Sequence, residues 1–227
     1  MVPPSPSTSD DKSPRRARAR AILEAAEAIL VEEGYEALSA RAVAERAGVN
    51  KALVFYYWGS TAELFERVLE RYYARHKDAL REAFGQDGSL EERLHRGLDG
   101  YLDFMEANQA YARLVQQQVS TGGPHLALVQ RHLGELLGAT SELLAALTPQ
   151  GGPLSAKHFH LSLSAAVINY FTYAPVLGEE HWGRDPMSAE ALAERRAHLH
   201  WMVDAWLRAL DATLPQGTRP APTGGQR

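Results

Sequence analysis

Arg41, Lys51, Tyr56 and Tyr57 fall within seventeen residues of one another and carry the donors that nucleic acid accepts. An arginine can set two parallel N–H groups on a guanine edge, a lysine can pair with phosphate or guanine, and tyrosine hydroxyls can donate to phosphate oxygens. Other chemistries find less support. The chain has no cysteine, which excludes a disulfide framework, a thiol nucleophile and a Cys-ligated zinc or iron–sulfur site. Nine histidines raise the question of a metal, above all His158 with His160 and His198 with His200. Residues two apart on a helix point about 200° away from one another, so neither pair chelates alone and no metal is expected. No Ser/His/Asp order, phosphate-cradling glycine loop or paired-carboxylate motif stands out, so no catalytic residue, cofactor or enzymatic activity is expected either.

The donors need elements to hold them, and the spacing of apolar residues supplies these. Ile22, Ala25, Ala26, Ile29 and Leu30 recur at three- and four-residue intervals, predicting a first helix over Arg15–Glu33 that Gly34 ends. Ser39 is a good N-cap, and Leu38 with Val43 forms a hydrophobic staple, so a short second helix is expected over Ala40–Ala47. Gly48 supplies a tight turn and Asn50 caps a third helix over Lys51–Tyr57. Two short capped helices around a glycine turn make a helix-turn-helix. Ala44, Ala47, Val49, Val54 and Trp58 have inward spacing, which leaves Asn50, Lys51, Leu53, Phe55, Tyr56 and Tyr57 outward.

Capping boxes at Ser60/Glu63 and Ser89/Glu92 open a long fourth helix to about Phe84 and a fifth to about Ala107. Four more helices are predicted over Gln109–Val119, Pro124–Leu147, Ala156–Val176 and Ala189–Leu214. Strand-length alternation and internal repeats are absent, so the fold class is all-α. The expected organisation is a disordered arm over 1–13, a three-helix DNA-binding domain over 14–60, a six-helix domain over 61–214 and a disordered tail over 215–227.

The net charge of −4 is unevenly placed. Residues 1–60 hold eight basic and eight acidic side chains, whereas 61–227 hold sixteen and twenty. Lys12, Arg15, Arg16, Arg18 and Arg20 form a basic run that is either a local attractor of phosphate or a solvated tail. No run approaches the roughly 18 uninterrupted apolar residues of a membrane span, and the Pro/Ser/Arg-rich N-terminus lacks a secretory apolar stretch, so a cytoplasmic chain with no membrane partner is expected.

Leu38 to Phe65, LSARAVAERAGVNKALVFYYWGSTAELF, resembles the TetR family signature in order and spacing. The resemblance rests on the turn Ala47-Gly48-Val49, the aromatics Phe55-Tyr56-Tyr57-Trp58 and the polar loop Gly59-Ser60-Thr61, and it extends over about residues 18–68. The resemblance implies DNA contacts from Arg41, Asn50, Lys51, Ala52, Leu53, Phe55, Tyr56 and Tyr57. The sequence departs from the usual pattern in four places. Phe55 stands where tyrosine is common, Leu53 where threonine or alanine is, Ala52 where glycine is and Thr61 where lysine is. These departures leave open the strength and sequence preference of binding; Leu53 suits a thymine methyl.

The resemblance further implies a homodimer on palindromic double-stranded operator DNA, acting as a repressor and released by a small molecule. Tyr101, Phe104, Met105, Gln117, Gln118, Phe159, Asn169 and Phe171 mix aromatics with amides and suit a mostly apolar ligand, or are plain core. Dimer contacts are expected from Ala165 on the eighth helix and from Leu199, Met202, Val203, Trp206 and Leu210 on the ninth. The same stripes also suit a monomeric core. The alternative function is a helical ligand-binding or protein-interaction module whose helix-turn-helix no longer binds DNA.

Overall fold

A computed structural model of the chain describes residues 12–145 and 147–213. The expected disordered arm and tail lie outside these residues, except that the first helix already starts at Lys12. The described residues form nine α-helices and contain no strand: α1 (Lys12–Glu32), α2 (Ala40–Ala47), α3 (Lys51–Trp58), α4 (Thr61–Gly85), α5 (Leu90–Ala107), α6 (Gln109–Thr121), α7 (Leu126–Leu144), α8 (Ala156–Trp182) and α9 (Ala189–Thr213). A single 3-10 turn, Tyr35–Ala37, links α1 to α2. The all-α fold and the helix-turn-helix are therefore as the sequence predicts.

The chain divides into two compact units. The first takes in the described residues up to His76 together with Asn108–Val129; the second takes in Lys77–Ala107 and the residues from Gln130 onward. In the first unit α1, α2 and α3 pack on one another. Ile22, Ala26, Ile29 and Leu30 meet Val43, Ala44 and Val54, all buried. Each buried Ile, Leu or Val stabilises by about 1.5–3 kcal/mol relative to exposure. Arg71 and Arg75 on α4 then bracket Glu27 of α1 at 3.1 and 2.5 Å.

In the second unit α5 pairs with α9, and α8 packs on both. Leu94, Leu98 and Met105 face Leu199 and Val203 in the buried layer, and Phe159 of α8 stacks on Trp206 with ring centroids 4.1 Å apart. Gly97 lets the ring of Phe84 lie directly against the α5 backbone, where any Cβ would collide with it. Arg196 of α9 reaches three carboxylates of α5: Asp99 at 2.8 Å, Asp103 at 2.6 Å and Glu106 at 2.8 Å.

Two helices differ from their predicted extents. Helix α7 is shorter because its end winds into turns, with both Leu147 N–H and Thr148 N–H donating to Leu144 O. Helix α8 continues past Val176 and through Pro175, but Gly178 leaves the helical region with φ 64° and ψ −177°. The regular helix thus stops close to the predicted place, and a last turn follows the kink.

Candidate nucleic-acid interface

Local capping sets the geometry of α2 and α3. Ser39 Oγ accepts from Ala42 N–H at 3.1 Å, and Asn50 Oδ1 accepts from Leu53 N–H at 2.9 Å. Between them Gly48 takes the left-handed conformation, φ 64° and ψ 33°, which closes the turn. Gly59, at φ 66°, ends α3. Only glycine adopts such angles without strain. The loop into α4 is held by Ser60, whose hydroxyl accepts from Glu63 N–H at 3.1 Å and donates to the Glu63 carboxylate at 3.2 Å.

Val54 is fully buried and Trp58 half-buried, so the inner side of α3 is the one its spacing predicts. The outer side carries Lys51, Ala52, Phe55 and Tyr56, all exposed, with Leu53 and Tyr57 half-buried beside them. Asn50 is exposed at the helix start, and Arg41 is exposed on α2. Lys51 Nζ stands 5.6 Å from the Phe55 ring centroid, and Tyr56 meets Tyr57 edge to face at 5.1 Å. Among the described residues neither Arg41 nor Lys51 pairs with a carboxylate, whereas Arg46 turns back to Glu32 and Glu33 of α1. The cations on this face are thus those that face away from the protein's own acids.

Arg15 belongs to the same surface, a placement the sequence motif does not contain. Its guanidinium lies over the Tyr56 ring, 5.3 Å from the centroid. Arg16 and Arg18 are exposed nearby on α1, while Arg20 pairs with Glu24 at 2.7 Å. The basic run is therefore helical from Lys12 and contributes at least Arg15 to the candidate interface.

A second histidine-based contact supports this unit from behind. His125 is buried, with Nδ1 3.0 Å from the Glu66 carboxylate, Nε2 3.4 Å from Tyr35 Oη and its ring 4.7 Å from that of Phe65. It fastens the start of α7 to α4 and to the turn that precedes α2. Its isolated place in the sequence, after Gly-Gly-Pro, carries no signal of this role.

Residues 22–68 match the bacterial regulatory proteins of the tetR family. The match takes in the second half of α1, all of α2 and α3, and the start of α4. The chain is 28% identical over 117 residues to the HTH-type transcriptional activator FasR of Mycolicibacterium smegmatis, a match covering 52% of this chain and 53% of FasR. It is 28% identical over 105 residues to the HTH-type transcriptional regulator YhgD of Bacillus subtilis, covering 46% and 55%. The chain thus spans about half the length of these curated relatives. Its fold also matches a solved transcriptional regulator from Rhodococcus sp. Rha1 with a TM-score of 0.66 at 22% identity, covering 87% of this chain and 99% of that one.

The remaining sequence-predicted residues are spread over both units. Tyr101, Phe104, Met105, Phe159 and Phe171 are buried in the second unit, where Asn169 is exposed. Gln118, buried, and Gln117, half-buried, belong to the first. An open groove of about 600 Å³ runs along α9 beside Leu192, Arg196 and His200, and it shares no residue with those eight. Of the residues expected at a dimer interface, Leu199, Val203 and Leu210 are buried within the second unit, Met202 and Trp206 are half-buried and Ala165 is exposed. The exposed large apolar side chains of α8 are Leu161, Tyr173, Val176, Leu177 and Trp182, and Trp201 is the exposed tryptophan of α9.

Proposed function

We propose that the chain is a homodimeric transcriptional repressor that binds palindromic operator DNA through α2 and α3 and is released by a small, mostly apolar ligand. The observation that carries this reading is the exposed set Arg41, Lys51 and Tyr56, its two cations without a carboxylate partner among the described residues, on a helix-turn-helix whose caps and turn are all formed. Lys51 and Tyr56 contact phosphate, Arg41 reads a guanine edge, and Arg15 adds charge to the Tyr56 side. One short helix reads only a few base pairs, so a two-fold pair with half-sites about 34 Å apart completes the site.

The stripe Leu161, Ala165, Asn169, Tyr173 and Val176 runs at helical spacing along one exposed side of α8 and is the proposed contact with the second copy. Helix α8 also has the length and apolar composition of a membrane span, with a mean hydropathy of 1.2 in its richest window. Cover by a second subunit accounts for that composition in a cytoplasmic, non-enzymatic regulator. The proposed ligand contacts are the buried aromatics Tyr101, Phe104, Phe159 and Phe171 with Met105. An apolar ligand also fits the name of a fold neighbour, the fatty acid degradation regulator FadR of Bacillus halodurans. A coupling of about 1–3 kcal/mol between ligand and DNA changes DNA affinity some 5- to 150-fold.

A second reading, an activator, is favoured by the name of FasR. Selection of a duplex from a random pool, followed by transcription from a promoter bearing it, separates the two: output falls with a repressor and rises with an activator. No enriched sequence, with weak binding unchanged in Lys51→Ala and Tyr56→Ala, would sink both.

A further inference from the structure

The two helices α5 and α9 bring together four side chains in a line. His95 Nε2 lies 2.8 Å from Asp204 Oδ1, His95 Nδ1 lies 2.6 Å from His200 Nδ1, and His200 Nε2 lies 2.9 Å from Asp99 Oδ1. The imidazole rings stack with centroids 4.8 Å apart. Each of these three contacts joins two atoms that bear lone pairs unless a positive centre sits between them. Each ring nitrogen in the line thus faces either another ring nitrogen or a carboxylate oxygen.

The two ends of the line differ in charge. Asp99 already receives Arg196 at 2.8 Å, and although its partial burial opposes ionisation, the hydrogen bonds from Arg196 and His200 hold its carboxyl below the usual range. The other end has no such compensation. Asp204 meets Glu91, a second carboxylate one helical turn before His95, and among the described residues neither has a lysine or arginine partner. Glu91, His95 and Asp204 offer ligand atoms that all lie within 4.8 Å of one another.

We propose that Glu91, His95 and Asp204 form a binding site for a divalent first-row transition metal that clamps α5 to α9. The ion sits between His95 Nε2 and the two carboxylates. His95 then donates Nδ1–H to His200 Nδ1, and His200 donates Nε2–H to Asp99, so both available protons are used and every acceptor in the line is met. A ligating histidine whose other nitrogen is fixed by a chain ending in a carboxylate is the arrangement that orients metal ligands. One nitrogen with two carboxylate oxygens suits zinc-like ions better than magnesium or calcium, which prefer oxygen alone. Bonds of about 2.0–2.2 Å place ligand atoms about 3–3.5 Å apart, a closure that the exposed Glu91 side chain makes by a change of rotamer. Three protein ligands leave further positions to water.

The test is a calorimetric titration of the full chain, freed of metal by a chelator, with Zn²⁺, alongside the visible absorption of a Co²⁺ adduct. The expected result is one ion per chain and a melting temperature that rises with Zn²⁺. Affinity falls at least tenfold in Asp204→Asn and in His95→Gln, which keep side-chain volume close to that of the native residue. Removing the supporting ring in His200→Ala weakens binding by about 10- to 100-fold without abolishing the one-to-one stoichiometry. His158→Ala, on α8, leaves binding unchanged. Absence of Zn²⁺ binding by the native chain, or affinity equal to native in both Asp204→Asn and His95→Gln with native helical content, would overturn the site.

Discussion

Lys51 and Tyr56 expose their polar ends one helical turn and a half apart, and each is a single phosphate donor in the proposed complex. Replacing either by alanine is expected to weaken binding to all duplexes alike and to lower the slope of log affinity against log salt by about 1, read by fluorescence anisotropy across a salt series. Arg41→Ala acts differently, costing about 1–3 kcal/mol on the cognate duplex and relaxing the preference at one base pair, because it reads a base edge. Buried phenols offer a separate check on the core. Burial pushes the hydroxyls of Tyr72 and Tyr73 up to about 12 from the usual 10. Between about pH 10 and 12 the unfolded chain ionises these phenols while the folded one keeps them neutral, so stability is intact below pH 10 and falls as pH rises through that window. Phenolate absorbance should show this class ionising late, together with loss of helix; early ionisation in the folded chain would contradict the packing.

At the scale of the element, the helix-turn-helix depends on two caps and one turn rather than on a large core. Asn50→Ala removes the acceptor of Leu53 N–H and should destabilise by about 0.5–2 kcal/mol in chemical denaturation. The opposite problem arises at Gly97, where an added methyl meets the ring of Phe84. Gly97→Ala is expected to cost about 1–3 kcal/mol through overpacking, and Gly97→Ala combined with Phe84→Leu should recover part of it. These local devices were largely legible. Ser39, Gly48 and Asn50 have the residue types that cap and turn demand, and each plays that role. The regular part of α8 ends close to the expected Val176, and the structure shows that Gly178 makes the break, at φ 64°. The 3-10 turn Tyr35–Ala37 was not legible, since three residues are too few to show a period.

Over the whole molecule, the apolar side of α8 is the feature that a lone copy leaves uncovered. Val176 is 81% exposed and Leu161 67%, part of an apolar strip of the kind that marks an interaction surface. Light scattering coupled to size exclusion should give a dimer for the native chain and a monomer for Leu161→Arg/Val176→Arg, with operator affinity falling steeply because both half-sites are no longer held together. A monomeric native chain would sink the dimer proposal while leaving the helix-turn-helix chemistry in place.

The amino-acid sequence by itself determined the helical class, the positions of the helices and the outward set on α3. Those depend on periodicity, caps and turns among residues near in the chain, whose geometry is fixed by covalent spacing. Tertiary structure alone decided which distant residues meet. The stripe Leu199, Val203 and Leu210 reads equally as an intersubunit face or as core, and packing against α5 and α8 places it inside the second unit. Arg15 joins Tyr56, His125 joins Glu66 and His95 joins His200 across separations of 41, 59 and 105 residues. Nothing in the spacing of His95 and His200 links them, so the pair was invisible until α5 and α9 were set side by side.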